Sequence, residues 1–391
     1  MMVWCKGDSE GERFLEARNL YVSDHNHEKR PGQTCGGFHQ ALRRVPMPVF
    51  RALAAGVRKR IGERWFDELR IGGWLPMGCD GTRLECVRSE ALERCMGQCG
   101  KDDSAPMMYV TALALLPLGL PWAWRLDKGT GSELTHLQQM LPTLPEKTLL
   151  VADAFYVGFD LYNAILKAEA AFLVRMSSRV ELYSESNVPL NRFREGWVHY
   201  WPKYAQDEGR PPLRLRLLRV RGGKCDVWLL TNLDKTQLPR RRAKQIYRWR
   251  WRNEGLFRTF KTTLAKTKLG HKTPALVFRE AEASMLALQL LMAMTNDAHE
   301  RERTKPSPRR FVLRIRSAIS RGLAKLGPRQ RQRYEDALEI IHKENPNRTS
   351  AKTRRDWPRR KQHKPPKPPK LKRPNRTQKA AMNEAFNESE A

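Results

Sequence analysis

The six residues Thr148-Leu-Leu-Val-Ala-Asp153 limit the fold more than any other part of the sequence. Four consecutive apolar residues leave no polar face, so the segment reads as a strand buried on both sides. It ends in an acid. A carboxylate at a strand end points out of the core into a crevice, where α/β proteins place their sites.

Other segments supply a sheet around this strand and helices to cover it. Met107–Leu116 is apolar enough for a second buried strand, and Pro121–Leu126 follows a Pro-Leu-Gly-Leu-Pro turn that lets the two pair as a hairpin. Ile71–Cys79 is a shorter strand that ends at the turn signal Asp80-Gly81-Thr82. Ser132–Leu141 reads as a helix with Ser132 as its N-cap and Glu133 in the first turn, and Phe159–Lys167 as another. Residues 171–235 are β-rich, at Ala171–Met176, Leu213–Val220 and Cys225–Leu230. Helical spacing returns at Arg241–Leu264, Thr273–His299 and Arg309–Leu326. Toward the N-terminus, residues 38–68 read as helical with a break at Pro46 and Pro48, while residues 1–35 carry little pattern.

These elements predict an α/β fold: a mixed sheet flanked by helices, interrupted by a β-rich insertion, with a helical N-terminal region and a basic C-terminal extension. We expect a helical region over 1–69 that is a candidate for DNA binding. A strand-and-helix region follows in two parts, 70–165 and 239–300, on either side of a β-rich stretch over 166–238. A basic helical region over 301–345 and a disordered basic tail over 346–391 complete the chain. The tail holds the Pro-Lys-Arg tract of residues 352–373, which cannot build a core.

The charge balance points to the partner. Lys plus Arg is 73 against 42 for Asp plus Glu, giving a formal net charge of +31. Such a chain repels itself until a polyanion neutralises it, and nucleic acid is the default polyanion. An anionic membrane surface is disfavoured, because no lipid-facing basic helix, lipidation signal or apolar run of about 18 residues accompanies the charge. Seven scattered cysteines and no signal pattern fit the reducing cytoplasm. His25, His27, Cys35 and His39 fall close together, at a spacing that matches no standard zinc pattern.

Three acids stand out by position: Asp80 and Asp153 at strand ends, and Glu254 inside a helix. Three such oxygen donors in one place suit hard divalent cations, Mg²⁺ above all. Two ions about 3.5–4 Å apart could activate the attacking oxygen and stabilise the leaving oxygen of a phosphodiester displacement. On a helix turning about 100° per residue, Tyr247, Arg250, Glu254 and Lys261 fall on one stripe. There the acid holds metal while the cations grip phosphates. Trp249, Leu256 and Phe260 take the opposite face.

The same helix resembles the Y-x2-R-x3-E-x6-K signature of DDE transposases of insertion-sequence family four, with Tyr247, Arg250, Glu254 and Lys261 in place. Cys79-Asp-Gly-Thr82 looks like that family's first-aspartate motif, and Leu149-Leu-Val-Ala-Asp153-Ala-Phe-Tyr like its second. Val227-Trp228-Leu-Leu-Thr resembles its insertion strand, whose Trp helps hold a flipped base. The resemblance covers roughly residues 70–300. It implies an RNase-H-like catalytic core, 70–165 and 239–300, split by a β-rich insertion over 166–238, and cut-and-paste transposition. Asp80, Asp153 and Glu254 would ligate two Mg²⁺ ions, with Mn²⁺ as a substitute. Tyr247, Arg250, Arg258, Lys261 and Trp228 would contact DNA. It also implies terminal inverted repeats and target DNA as partners, a homodimer in a synaptic complex, and association with the nucleoid.

Each residue also has a local reading. Asp80 could cap a turn, Asp153 could cap a helix, and Glu254 could pair with Arg250 or Arg258 on a solvated face. Tyr247 and Trp228 could be packing aromatics. A non-mobile nuclease on the same fold, or a DNA-binding protein without catalysis, would share most of these features.

Overall fold

The computed structural model describes residues 2–5, 9–25, 31–97, 99, 104–186, 188–222, 225–302, 307–320 and 367–390. One mixed sheet organises them. The core strands are β1 (Leu75–Cys86), β2 (Met107–Leu115), β3 (Leu120–Lys128), β4 (Thr148–Ala152) and β5 (Ala171–Arg175). They lie in the order β3-β2-β1-β4-β5. The first three form an antiparallel meander, and β4 and β5 run parallel to β1. This is the RNase-H-like mixed sheet that the sequence led us to expect.

The apolar run of β4 has a simple cause. All five of its residues are buried, and they alternate between two cores. Leu150 and Ala152 join one hydrophobic cluster with Phe172 and Val174, while Leu149 and Val151 join another with Ala171 and Leu173. Burial on both faces removes any reason for a polar alternation.

Helices form the covering layers. The N-terminal ones are α1 (Glu10–Asp24), α2 (Cys35–Arg44) and α3 (Met47–Leu69). The core adds α4 (Glu90–Met96), α5 (Glu133–Met140) and α6 (Phe159–Lys167). Strands β6 (Glu181–Ser184), β7 (Glu195–Tyr200), β8 (Leu213–Arg221) and β9 (Asp226–Thr231), with the short α7 (Lys203–Asp207), extend the sheet. Then come α8 (Arg240–Trp249), α9 (Trp251–Arg258), β10 (Lys268–Leu269), α10 (Pro274–Glu302) and α11 (Pro308–Ser320). The chain ends with β11 (Lys370–Lys372) and α12 (Arg376–Glu390). Helix α10 lies across the hairpin, where the Gln289 amide donates to the Pro121 and Trp122 carbonyls at 3.0 and 3.2 Å.

Several expectations need correction. Strand β1 does not stop at Asp80-Gly81-Thr82. It runs on to Cys86, because Asp80, Gly81 and Thr82 pair with Ala112, Thr111 and Val110 of β2, and ladder pairing overrides the local turn preference of Asp-Gly. Residues 10–24, read as patternless, form α1 behind a capping box. The Ser9 hydroxyl accepts from the Glu12 N–H, and the Glu12 carboxylate accepts from the Ser9 N–H. Ala171–Arg175, inside the span read as the insertion, takes fifth place in the core sheet, and the added strands begin only with β6. They do not form a separate layer: β9 pairs antiparallel with β5, so the sheet continues through β9-β8-β7-β6. The stretch read as one helix over 241–264 is two α segments followed by a π turn, Thr259–Thr263. Inside the tail read as structureless, Leu371 and its neighbours pair parallel with β6, and α12 follows. His27, the remainder of the 301–345 region beyond 320, and tail residues 346–366 lie outside the described residues.

Candidate active site

Strand register brings the two aspartates together. The last pair between the parallel strands β1 and β4 is Gly78 with Val151. Asp80 lies two residues further along β1, and Asp153 lies two residues further along its own chain. They therefore stand at matching steps, just where β4 ends and leaves the side of β1 open. Asp153 caps a single 3₁₀ turn, Ala154–Tyr156: its Oδ1 accepts the Phe155 N–H at 2.8 Å. The local reading of Asp153 as a cap is thus realised by one oxygen only.

Glycine lets the third acid approach. A β-carbon on Gly78 would meet the Asn253 side-chain amide and lie 2.6 Å from Leu116 Cδ2, so only a glycine allows α9 to lie this close to β1. Asn253 is 2 % exposed and adjoins Glu254. On the same helix, the Arg252 guanidinium donates to the Leu116 carbonyl at 2.9 Å and to the Pro117 carbonyl, fixing α9 to the hairpin turn. Leu256 and Phe260 enter the main core, and Trp249 packs against the second cluster. The face carrying Glu254 is left toward the aspartates.

Electrostatics reports the convergence. The Asp80 carboxyl is pushed up, first by burial and then by the charges of Asp153 and Glu254. The Gly81 N–H and the Arg250 guanidinium act against this. Such coupling acts over several ångströms, so the three carboxyls lie within range of one another's charge. Arg250 reaches Glu254, Nη2 to Oε1, at 3.9 Å, and lies 5.0 Å from the Trp251 ring centre and 5.9 Å from that of Tyr247. Burial pushes the Tyr247 hydroxyl up, while Arg250 and Arg175 pull it down and Asp153 raises it. Tyr247 itself is buried in the second apolar cluster, beside Arg250.

A fourth carboxylate, Glu133, joins them. Its pKa is raised by burial and by Asp80 and Asp153, with the Tyr156 hydroxyl and Arg83 opposing. Tyr109 donates its hydroxyl to Glu133 Oε1. A β-carbon on Gly81 would fall 2.5 Å from that oxygen, so the glycine after Asp80 makes room for the acid. The sequence marks Glu133 only as a first-turn residue of α5; its closeness to Asp80 arises from packing across 53 residues.

The remaining predicted residues fall in different settings. Arg258 is exposed and Lys261 is half-buried in the π turn, where burial lowers its pKa. The widened π turn displaces Lys261 from the straight stripe drawn at a uniform helical step. Trp228 is 7 % exposed, with its ring 6.2 Å from Phe193 and covered by the Arg219 guanidinium at 5.6 Å. Its ring is therefore packed between Phe193 and Arg219. Two aromatics that the sequence reading passed over are exposed instead: Phe155 at 60 %, two residues after Asp153, and Trp251 at 60 %, next to Arg250.

Asp80, Asp153 and Glu254 offer carboxylate oxygens, the donor type of a hard divalent cation, and the mutual repulsion at Asp80 is the kind that a cation relieves. Among the described residues, the one trio of His, Cys, Asp or Glu whose ligand atoms all lie within 4.8 Å of one another is elsewhere, at Glu10, His39 and His271. The three acids are thus set wider than the shell of a single ion. No helix of the described residues is long and apolar enough to cross a membrane.

A family model described as a transposase DDE domain matches residues 80–290, a span that holds all three acids. No curated protein sequence matches the chain. The chain is similar to a solved structure of the piggyBac transposase synaptic complex with hairpin DNA, at 8 % identity and a TM-score of 0.43, over 87 % of this chain and 84 % of that one.

Proposed function

The chain belongs to the transposase DDE domain family, and from that premise we propose that it cuts DNA at the ends of an insertion sequence and joins them to a target. The observation that supports this reading is the register that sets Asp80 and Asp153 at matching steps beyond β4, with α9 lying against Gly78 so that Glu254 comes within range of the Asp80 charge. We assign the chain to insertion-sequence family four on the Tyr247, Arg250, Glu254 and Lys261 spacing.

Asp80, Asp153 and Glu254 would hold Mg²⁺, or Mn²⁺ in its place, and their wide setting suits two ions. Bound there, the ions supply electrophilic stabilisation of the attacking and leaving oxygens of an in-line phosphodiester displacement. The chain's own residues position the DNA. Arg250 orients the Glu254 carboxylate and offers its guanidinium to a phosphate. Arg258 and Lys261 add cations along the same helix, and Tyr247, buried beside Arg250, would lend its hydroxyl to the same phosphates. The exposed rings of Phe155 and Trp251 offer stacking surfaces for bases splayed at the cut. Trp228 serves by packing the strand beside the site. Glu133, shielded by Tyr109 and Tyr156, keeps the Asp80 side of the crevice acidic and ordered.

The partners are double-stranded DNA: terminal inverted repeats and target. The net charge of +31 supports this through phosphate neutralisation. The N-terminal helices over 1–69 are the proposed end-binding region. Two copies would meet in a synaptic complex, so that both ends are cut together, on the nucleoid of the cytoplasm. The test is incubation of the full chain with DNA carrying the element's terminal repeats and Mg²⁺, read for nicks, hairpins and joined products. Joined product is expected. Nicks that never join to a target would leave a nuclease, and binding without any metal-elicited nick would overturn the catalytic reading.

A further inference from the structure

A second set of ligating side chains gathers away from the crevice, where the N-terminal helices meet the core. Glu10 comes from the first turn of α1, His39 from α2 and His271 from the segment leading into α10. Glu10 Oε1 lies 3.2 Å from His39 Nε2 and 3.5 Å from His271 Nε2. The two imidazoles meet edge to face, with centres 4.6 Å apart at 84°. Cys35, one turn before His39 on α2, places its Sγ 3.5 Å from the same Nε2.

These spacings match the edges of a zinc tetrahedron. With bonds of about 2.0–2.1 Å to nitrogen and oxygen, neighbouring ligands stand about 3.3–3.4 Å apart, and about 3.6 Å when one is a thiolate at 2.3 Å. Hydrogen bonding alone fits the arrangement poorly. His39 Nε2 carries one proton or one lone pair, yet it faces both a carboxylate oxygen and a sulfur. Glu10 Oε1, with two lone pairs, reaches both imidazoles. A cation at the centre uses each of these atoms once. Mixed N, O and S donors favour zinc over the hard ions suited to the carboxylate crevice.

We propose that Glu10, His39 and His271 bind a structural Zn²⁺ ion, with Cys35 closing the fourth position by a side-chain rotation. The ion joins three segments far apart in sequence and fastens α1 and α2 to the core. A cavity of about 540 Å³ lined by Glu10, Phe14, Phe38 and His271 gives it a way in. His39 and Cys35 were visible in the sequence as one helical turn. The site was not, because Glu10 and His271 reach it only through tertiary packing.

The test uses the full chain, without an affinity tag, loaded with Zn²⁺ and dialysed against Mg²⁺ buffer. Elemental analysis is expected to find one zinc per chain. His39→Ala and His271→Ala should each weaken retention at least about tenfold, whereas Asp153→Asn should keep the metal. Co²⁺ loaded into the unaltered chain should show tetrahedral ligand-field bands and a sulfur-to-cobalt charge-transfer band, the latter vanishing in Cys35→Ser. Folded protein that holds no zinc, or Co²⁺ spectra without tetrahedral bands, would overturn the site even if the histidine variants fail to fold. A charge-transfer band that survives in Cys35→Ser would remove that residue from it.

Discussion

The side-chain amide of Asn253 occupies the space that a β-carbon on Gly78 would need. Strand β1 and helix α9 can touch only because position 78 has no side chain, and this contact sets Glu254 beside Asp80. Gly78→Ala should push α9 outward. Overpacking of this kind costs about 1–3 kcal/mol, and DNA nicking should fall by more than the folded fraction does. Urea unfolding alongside a nicking assay checks this. Unchanged values in both would show that the helix does not depend on the contact.

The acids should separate chemistry from binding. Asp153→Asn and Glu254→Gln keep size and shape while removing a metal-holding charge. Each should lower the nicking rate by roughly a thousandfold, equivalent to about 4 kcal/mol of barrier, with DNA affinity little changed in a gel-shift assay. Normal cleavage by either variant would take that acid out of the site.

Aromatic residues should divide by exposure. Trp228→Ala empties a packed position and should cost about 3–5 kcal/mol of stability. Phe155→Ala and Trp251→Ala remove exposed rings, so stability should stay within about 0.5 kcal/mol. Binding to DNA with splayed ends should weaken by about 1–3 kcal/mol for each stacked base lost. Calorimetric melting and fluorescence titration read the two effects. The reverse pattern would restore Trp228 as the base-contacting ring.

Salt dependence should count the phosphate contacts. Arg258→Ala and Lys261→Ala should each reduce the slope of log affinity against log salt concentration by about 1, across DNA sequences alike. A slope that does not move would place these side chains off the DNA path.

Acid should loosen the added strands through Glu185. Burial would raise its carboxyl, but hydrogen bonds from His199 and Arg214 outweigh that and hold its pKa at about 2. His199 Nε2 and Arg214 Nε lie 2.9 and 2.8 Å from Glu185 Oε1. A depressed carboxyl stabilises the folded state above its unfolded value, about 4.3, and loses that contribution as the pH falls toward 2. After allowance for solvent screening, Glu185→Gln should cost about 1–2 kcal/mol at neutral pH. The difference from the parent should shrink as acid is added. A gap that stays constant down to pH 2 would refute the ion pairing.

Local signals made parts of this legible. Four apolar residues ending in Asp153 announce a strand covered on both faces, and Leu256 and Phe260 meet the core where helical spacing put them. The sequence misleads where local and distant preferences conflict. Asp80-Gly81 favours a turn until nine pairs with β2 hold it extended. The straight stripe fails at Lys261, where the backbone widens into a π turn that no composition rule marks. Glu133, and the Glu10, His39 and His271 group, depend on contacts between segments that periodicity treats separately. Ser9 and Glu12 did carry a readable helix start, one that the polar neighbourhood concealed.

The pairing of Lys370–Lys372 with β6 also bears on how the molecule behaves in a crowded cell. The outermost ladder of a long sheet is a template on which foreign strands can grow, and here the chain's own far end lies along it, with lysines at both ends of the short strand. Losing that plug would turn a sealed rim into an adhesive one, so trimming the last two dozen residues should appear first as clumping.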